Sequence, residues 1–379
     1  MLSHKNLVSD CYIAQTRLTL YPTDVFYALL PIHHTYTMQA AFFCPLSQGC
    51  EIVFGKTIAV SKMLKELKEG KITLMLGVPL LYNKVMNGIL KGIREKGPFV
   101  NGLMHCLMGL SYTMKKVFNI NPGKKLFKSV LDKVGLTNLR IAISGGGPLA
   151  PSVFKRYNQI GIDFVQGYGL TETSPIIALN PIDNFKIESV GQYFFPYSEM
   201  KIIDADERGI GEVVVKGPMV MQGYYNMPEE TAKVFTEDGF LKTGDLGRLD
   251  DEGYLYLAGR AKNLIVTEGG KNVFPEEIEN MFQLENDVSQ ITVQGFIKDE
   301  KNKSEAVEAL IYPSDDLYAK IAKKRGEPEA DAEAKVLITQ IVDKINRDLK
   351  PYARIERITM LDKPLEMTTS QKVKRTYKK

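Results

Sequence analysis

The first part of the chain alternates short apolar runs with segments of helical spacing. Apolar runs at residues 25–33, 50–54 and 72–78 predict buried strands. The stretches 38–47 and 62–68, which lie between them, have the periodicity of helices. Strands that alternate with helices are typical of a parallel sheet covered on both faces. The pattern therefore predicts an α/β fold with parallel sheet layers and helices on both faces.

A helical region rich in Met, Lys and Leu follows over residues 80–134. The pattern then predicts a strand at 139–143, a glycine-rich turn, a helix through Tyr157 and a second strand at 163–166. Together these segments form a strand–turn–helix–strand unit. The two strands are expected to extend the same sheet.

The pattern of apolar, polar and glycine residues changes near Gly191 and again near Lys262. Short alternating strands with frequent glycine follow the first change and predict a small antiparallel β-barrel subdomain. Mixed helical and strand-like segments follow the second and predict a small α+β domain. The predicted domains are a large domain at 1–261, with an α/β part at 1–190 and a barrel-like part at 191–258, and a C-terminal domain at 262–379.

The composition is that of an ordinary globular protein. The 379 residues exceed what one core usually organises, and 44% hydrophobic with 25% charged residues is average. A formal net charge of +4 gives no argument for nucleic acid. The four cysteines form no CxxC pair, as expected of thiols in a reducing cytosol. Because no apolar run reaches the ~18 residues of a membrane span, we expect a cytoplasmic protein, at most peripheral to a membrane.

A glycine turn, Gly145-Gly146-Gly147-Pro148-Leu149-Ala150, has the GxGxxA spacing of a dinucleotide fingerprint and follows a predicted strand. An acid, Asp163, lies about 20 positions further on, as that fingerprint requires. A ribose-binding carboxylate belongs at the C-terminal end of its strand, however, whereas Asp163 begins one. A dehydrogenase therefore stays a rival interpretation, and a plain tight turn is a second.

The run Gln166-Gly167-Tyr168-Gly169-Leu170-Thr171-Glu172-Thr173 gathers an aromatic face, a hydroxyl and a carboxylate at a glycine-hinged turn. It follows a strand end, where open α/β sheets bind ligands. The Tyr168 ring can stack on a purine, the Thr171 hydroxyl can donate to a phosphate, and the Glu172 carboxylate suits Mg²⁺. Beside the glycine turn, this run resembles the signature of the adenylate-forming superfamily, which contains acyl-CoA synthetases, luciferases and peptide-synthetase adenylation domains.

The resemblance implies one nucleotide site, with ATP and AMP as ligands, Mg²⁺ as the metal and CoA as co-substrate. Catalytic roles fall to Thr171, which would contact the α-phosphate, and to Glu172, which would also be the metal ligand. The nucleotide-binding residues that it implies are Gly145, Gly146, Gly147, Tyr168, Gly169 and Thr171.

Two further segments resemble motifs of the same superfamily. Thr243-Gly244-Asp245 resembles the motif whose carboxylate accepts both ribose hydroxyls, a role that falls to Asp245. Gly259-Arg260-Ala261-Lys262-Asn263 resembles the hinge motif. There Arg260 would contact the nucleotide, and Lys262 would be the pivot about which a mobile C-terminal domain rotates.

The segment Met367–Arg375 resembles the C-terminal lysine motif. Lys372 would be the catalytic cation that bridges carboxylate and phosphate, because its charge sits on a long flexible stem. Many relatives have glycine before this lysine, whereas this chain has Gln371. Long-chain fatty acyl-CoA synthetases often depart in the same way, so this neighbourhood and the helical 80–134 region point to that subfamily.

Two other segments complete the resemblance. Leu30–Tyr36 resembles the segment that lines the acyl pocket, where His34 would gate the pocket and Gly167 would also line it. Gly270 follows the hinge and would line the pantetheine channel for CoA.

One expected part of the superfamily does not occur in this sequence, namely a Ser/Thr/Gly-rich phosphate loop. The opening Met1–Leu7 resembles the residues that immediately follow that loop in full-length relatives. Backbone amides for the β- and γ-phosphates are then missing, which argues against catalysis by this chain alone. We also expect an exposed apolar face and an unpaired strand edge, and with them poor solubility or reliance on a complementing segment.

As a whole, the resemblance implies an ATP-dependent acyl-CoA synthetase of the long-chain fatty acid type. Such an enzyme converts a fatty acid to acyl-AMP and pyrophosphate, and then to a CoA thioester with release of AMP. Two alternatives stay open: an acyl-AMP ligase that loads a carrier-protein pantetheine, and a non-catalytic fragment that binds nucleotide. The expected partners are a fatty acid, ATP and CoA, with no nucleic acid and at most peripheral membrane contact.

Overall fold

The computed structural model describes residues 1–268, 270–299, 304–368, 373 and 375. The chain divides into two compact units, Met1–Leu257 and Ala258–Lys379, a division just before the predicted boundary at 260–262. The helices are α1 His4–Gln15, α2 Thr35–Met38, α3 Cys44–Ser47, α4 Val60–Glu69, α5 Pro79–Arg94, α6 Pro98–Phe118, α7 Gly123–Leu126, α8 Lys128–Lys133, α9 Pro151–Gln159, α10 Pro228–Val234, α11 Pro275–Met281, α12 Asp315–Lys320 and α13 Pro328–Asp348. The strands are β1 Val25–Ala28, β2 Glu51–Phe54, β3 Leu74–Gly77, β4 Ile141–Ser144, β5 Asp163–Gly169, β6 Ile176–Leu179, β7 Gln192–Tyr193, β8 Glu199–Ile203, β9 Gly211–Lys216, β10 Leu241–Leu249, β11 Leu255–Arg260, β12 Ile265–Thr267, β13 Lys271–Val273, β14 Val288–Asp299, β15 Ser304–Pro313 and β16 Ile355–Met360.

A seven-stranded sheet forms the centre of the first unit, in the order β2-β1-β3-β4-β5-β6-β7. Neighbouring strands from β2 to β5 are parallel, and β6 and β7 continue the sheet in antiparallel pairing. β3 and β4 are buried at every position, as in sheets that helices cover on both faces. The predicted α/β fold with a parallel sheet is confirmed.

Helices cover this sheet on both faces. On one face, Tyr82 of α5 and Phe154 and Tyr157 of α9 pack around Phe164 of β5, with ring centroids 4.8, 5.5 and 4.6 Å from it. Each such pair contributes about 0.5–1.5 kcal/mol beyond the burial of its area. α6 packs against α5 and α9. On the other face, α1 and the π-helical segment Gln39–Phe43 contact each other, and the π-helical segment contacts β1.

The predicted antiparallel sheet follows as four strands in the order β11-β10-β9-β8. A small barrel was expected here from the alternation of short strands. Closure requires the two outer strands to pair with each other, and within the described residues β8 and β11 do not pair. This part of the structure is therefore an open sheet.

β2 lies at the edge of the seven-stranded sheet. Among the strands that the structure describes, it pairs with β1 alone, and Phe54 at its end is 56% exposed. Val8 and Tyr12 of α1 and Leu46 of α3 are exposed as well. The expected strand edge and exposed apolar side chains are thus present, whereas the solubility of the chain stays a prediction.

The second unit is built on a five-stranded sheet with the order β13-β12-β15-β14, in which β16 pairs with β15. Its core joins Val293 and Ile311 of the sheet to Ile278 of α11 and to Ile338 and Val342 of α13. This is the predicted α+β architecture. None of the helices within the described parts of the chain is long and apolar enough to cross a membrane.

Candidate functional site

Two parallel strands bring the candidate site to one edge of the seven-stranded sheet. β4 and β5 pair in the register Ile141↔Asp163 and Ser144↔Gln166. The glycine turn after Ser144 and the run after Gln166 therefore leave the sheet side by side. This is the carboxyl edge, where open α/β sheets bind ligands.

Asp163 lies at the other end of β5, away from the glycine turn. Its Oδ1 accepts hydrogen bonds from Lys115 Nζ at 2.6 Å and from Asn121 Nδ2 at 3.1 Å. Lys115 is 4% exposed, and its burial lowers the pKa of the ammonium group although Asp163 favours the charged form. Asp163 is thus the charge partner of a buried lysine, and the dehydrogenase interpretation loses its ribose ligand.

Tyr36 lies directly under the glycine turn. A Cβ atom at Gly145 would come within 2.9 Å of the Tyr36 ring, so any larger residue would displace the ring or the turn. Tyr36 Oη donates to the carbonyl oxygen of Ile143 at 3.0 Å, and burial raises the pKa of Tyr36, which keeps the phenol protonated. Gly146 has a φ of +78°, a conformation that glycine adopts readily. The sequence patterns give no sign of this role for Tyr36.

Gly169 lets the second run fold back on itself. A Cβ atom at Gly169 would lie 1.8 Å from the carbonyl oxygen of Pro175, which no side chain permits. The next residues, Thr171–Thr173, form a 3₁₀ turn in which Thr173 Oγ1 accepts from the Leu170 backbone N–H at 2.9 Å. Thr171 itself is exposed, so a ligand can reach its hydroxyl.

A short hydrogen bond links the two sheets of the first unit at this edge. Tyr168 Oη donates to Asp245 Oδ2 at 2.6 Å, and Asp245 is 7% exposed while Tyr168 is half-buried. The Asp245 backbone N–H donates to Thr243 Oγ1 at 3.1 Å, and that hydroxyl donates to the carbonyl oxygen of Val213 at 2.8 Å. The carboxylate is therefore fixed through its own turn and through the tyrosine.

Glu172 is held in a similar way by Tyr224. Tyr224 Oη donates to Glu172 Oε1 at 3.0 Å, and burial, followed by this carboxylate, raises the pKa of Tyr224. The Glu172 carbonyl oxygen also accepts from the Met221 backbone N–H at 2.8 Å. Sequence patterns assign Tyr224 no role, because its contact with Glu172 forms only in the folded chain.

The residues around Glu172 fit a Mg²⁺ ion of the kind that nucleotides carry. Proteins bind such an ion through one or two carboxylates, and phosphate and water complete its shell. Glu172 offers one half-buried carboxylate. Within the described residues there is no group of three or more His, Cys, Asp or Glu that could hold a metal by itself.

The predicted pocket residues lie near the same part of the fold. His34 is half-buried and precedes α2, with its ring centroid 4.4 Å from that of His33. Gly167 lies on β5, where a Cβ atom would come within 3.2 Å of the Leu179 side chain. Their roles in binding an acyl group stay predictions.

The predicted hinge residues lie in the second unit. Arg260 ends β11 and is exposed, and Lys262 is exposed in the 3₁₀ turn Ala261–Asn263. Gly270 lies in the turn between β12 and β13 with a φ of +69°. Lys372 lies outside the described residues, so its catalytic role stays a prediction.

A glycine turn and a tyrosine–carboxylate pair at the carboxyl edge of an open α/β sheet define an adenylate-forming domain. The chain belongs to the AMP-binding enzyme family, whose model matches residues 1–225.

The chain is similar to named relatives in sequence and to solved structures in fold. The long-chain-fatty-acid–CoA ligase heimdall of Drosophila melanogaster is 29% identical over 304 residues, or 75% of this chain and 44% of the relative. The probable chloroplastic acyl-activating enzyme 16 of Arabidopsis thaliana is 27% identical over 442 residues, with 99% and 59% covered. The crystal structure of ATP-bound MatB from Rhodopseudomonas palustris has a TM-score of 0.71 and 26% identity, covering 98% of this chain and 63% of MatB. The chain thus spans less than two thirds of the length of each.

Proposed function

We propose that this chain carries the nucleotide site of an ATP-dependent acid–thiol ligase that acts on long-chain fatty acids. The observation that carries the proposal is the Tyr168–Asp245 hydrogen bond beside the glycine turn. It places an aromatic face and a fixed carboxylate at one edge of the sheet. The relative named as a long-chain-fatty-acid–CoA ligase supports the acyl substrate, and ATP-bound MatB supports the nucleotide.

In this proposal the adenine ring lies against the glycine turn at 145–147 and stacks on Tyr168. The ribose hydroxyls donate to the Asp245 carboxylate. Because Tyr168 holds that carboxylate and Thr243 holds the Asp245 backbone before the ligand arrives, binding has to order little more of the site.

The phosphate end of the nucleotide faces the 3₁₀ turn. The Thr171 hydroxyl donates to the α-phosphate. The Glu172 carboxylate, which Tyr224 orients, would supply one oxygen ligand to Mg²⁺. When bound, Mg²⁺ would offset the negative charge of the phosphates.

The reaction has two steps. A carboxylate oxygen of the fatty acid attacks the α-phosphorus, and the bond to pyrophosphate breaks to leave acyl-AMP. The CoA thiol then loses its proton to solvent and attacks the acyl carbon, and AMP leaves. We assign Lys372 to charge stabilisation in the first step and Arg260 to a nucleotide contact.

The remaining predicted residues complete the proposal. Lys262 is the pivot between the two steps, and Gly270 lines the path of the CoA pantetheine. His34 and Gly167 line the acyl pocket.

Titration calorimetry with AMP tests the nucleotide site directly. We expect the chain to bind AMP, and Asp245→Asn to weaken binding roughly tenfold to a hundredfold, since a hydrogen bond to a charged group contributes about 1.5–3 kcal/mol. Asp251→Asn, an exposed aspartate in the turn after β10, is the matched control and should bind as the parent does. AMP binding that is absent, or equal in both variants, would refute the site.

ATP–pyrophosphate exchange with fatty acids of increasing chain length tests the chemistry. Exchange that rises with chain length supports the long-chain substrate, and AMP release with free CoA identifies the acceptor. AMP release that requires a carrier protein would instead identify a carrier-loading ligase. AMP binding without exchange would leave a nucleotide-binding chain that does not adenylate by itself.

A further inference from the structure

α6 carries an apolar stripe on the side that faces solvent. Phe99, Leu103, Leu110 and Val117 are 83%, 49%, 54% and 65% exposed, and Cys106 between them is exposed too. Their spacing of three, four or seven residues puts all five on one face of the helix. We name this face the α6 stripe. At 1.5 Å per residue it runs for about 27 Å.

The opposite face of α6 already supplies the core. Met108 and Ser111 are fully buried there, and Lys115 reaches Asp163 from the same side. A helix that is apolar all round is normally buried all round. Among the residues that the structure describes, nothing packs over the α6 stripe. Its five side chains form a continuous apolar patch, unlike the single apolar residues that are common on protein surfaces.

The chain segment that contains the stripe is strongly basic. Between Pro79 and Lys128 the only acidic residue is Glu95. The basic residues in the same segment are Lys84, Lys91, Arg94, Lys96, Lys115, Lys116, Lys124, Lys125 and Lys128.

Several exposed cations lie on the elements that flank α6. Lys84 is exposed on α5, the helix packed beside α6, and Lys96 is exposed in the turn that leads into α6. Lys125 is exposed just beyond its C-terminal end. Lys155 of α9, on the other flank, lies with its Nζ 5.2 Å from the Tyr112 ring of α6. A second copy of the chain would bring two such basic surfaces together, and the repulsion disfavours that occupant.

We propose that the α6 stripe docks the protein on an anionic lipid surface. The helix would lie in the plane of the interface, with the stripe among the acyl chains and the lysines at the headgroups. Its exposed apolar residues and its basic surroundings match the two attractions that hold such helices to a bilayer, apolar burial and charge. This proposal goes beyond the adenylation chemistry and does not depend on catalysis.

Vesicle flotation of the full chain tests the proposal, because floated protein is separated from any aggregate, which pellets. We expect flotation with vesicles of phosphatidylcholine and phosphatidylglycerol, and roughly tenfold less with phosphatidylcholine alone or at high salt. The double variant Leu103→Glu and Leu110→Glu should lose flotation. The matched control is Val266→Glu with Val336→Glu, two exposed apolar residues of the second unit.

Charge reversal and a fluorescent label extend the test. Lys84→Glu with Lys96→Glu should reduce flotation about tenfold, whereas Lys62→Glu with Lys335→Glu, also exposed, should not. An environment-sensitive dye on Cys106 should shift to the blue with anionic vesicles.

The other outcomes would overturn the proposal. They are protein that pellets or stays in solution with every vesicle, and flotation that the stripe variants leave unchanged. Light scattering that shows a dimer, dispersed by Leu103→Glu and Leu110→Glu without any flotation, would assign the stripe to a second copy of the chain. Capture by an acidic protein in place of lipid would assign it to a protein partner.

Discussion

Asp163→Asn should destabilise the first unit through the buried lysine that it leaves behind. The change keeps the size of the side chain and removes its charge. Lys115 then stays 4% exposed, with neutral acceptors only, among them Asn158 Oδ1 at 2.6 Å. Breaking a buried ion pair costs about 3–5 kcal/mol. Neutralising a lysine of ordinary pKa at pH 7 costs about 5 kcal/mol, and this is the upper limit of the destabilisation because Lys115 can lose its proton instead of staying charged.

We expect Asp163→Asn to lower the free energy of unfolding by about 3 kcal/mol, the low end of that range, because Asn158 and the new amide still accept hydrogen bonds from Lys115. For a domain of this size that corresponds to a fall in Tm of about 6–12 °C. Thermal unfolding followed by near-UV circular dichroism, at one scan rate for all variants, measures it. The matched control is Asp132→Asn, which removes an exposed pair with Lys128 of nearly the same length, 2.7 Å. Because exposed ion pairs contribute little to stability, this variant should lower Tm far less than Asp163→Asn does.

The pH dependence gives the sharper test. Burial lowers the pKa of Lys115 in the folded state, so the unfolded chain binds the extra proton and stability rises with pH up to the ordinary lysine pKa. Without Asp163 the pKa of Lys115 falls further, so stability must rise more with pH. The Tm of Asp163→Asn should therefore approach that of the parent between neutral and alkaline pH. A gap that is constant with pH, or no larger than for Asp132→Asn, would show that Lys115 is not a buried cation.

Other substitutions test separate parts of the structure. Gly169→Ala should prevent the site from forming and abolish AMP binding, which titration calorimetry measures. The control is Gly88→Ala, where a Cβ atom meets nothing within 4 Å. Thermal unfolding should show this control to be more stable than the parent by about 0.5–1 kcal/mol. Tyr224→Phe removes the hydrogen bond to Glu172, so ATP binding should need more Mg²⁺ while AMP binding is unchanged, and equal Mg²⁺ dependence would contradict this. Burial raises the pKa of Glu279 to about 7, so stability of the second unit should fall as pH rises from about 4.5 to 7, and Glu279→Gln should flatten that slope in urea titrations.

Local signals explain which parts of the fold could be predicted. The strands around the glycine turn were predicted because apolar runs at 139–143 and 163–166 stand between turn residues, and β4 and β5 follow them closely. The candidate site residues on these strands then share an edge because parallel strands end on the same side. Tyr36 under Gly145 could not be found in this way, since that contact depends on how distant strands pair.

The parts that were missed depend on non-local information. Sheet closure depends on strand register, which alternation along one strand does not carry. The pattern over residues 191–258 therefore predicts the strands correctly but does not predict that they form an open sheet.

The Tyr168–Asp245 hydrogen bond also has a consequence for cooperativity. Tyr168 belongs to the seven-stranded sheet and Asp245 to the four-stranded sheet. A nucleotide that contacts both residues would link the two sheets, which otherwise could unfold locally and independently. Ligand binding would then slow amide exchange with deuterium in β9 and β10, far along the chain from the glycine turn. The adenine site would in this way couple the local stability of the antiparallel sheet to the nucleotide concentration.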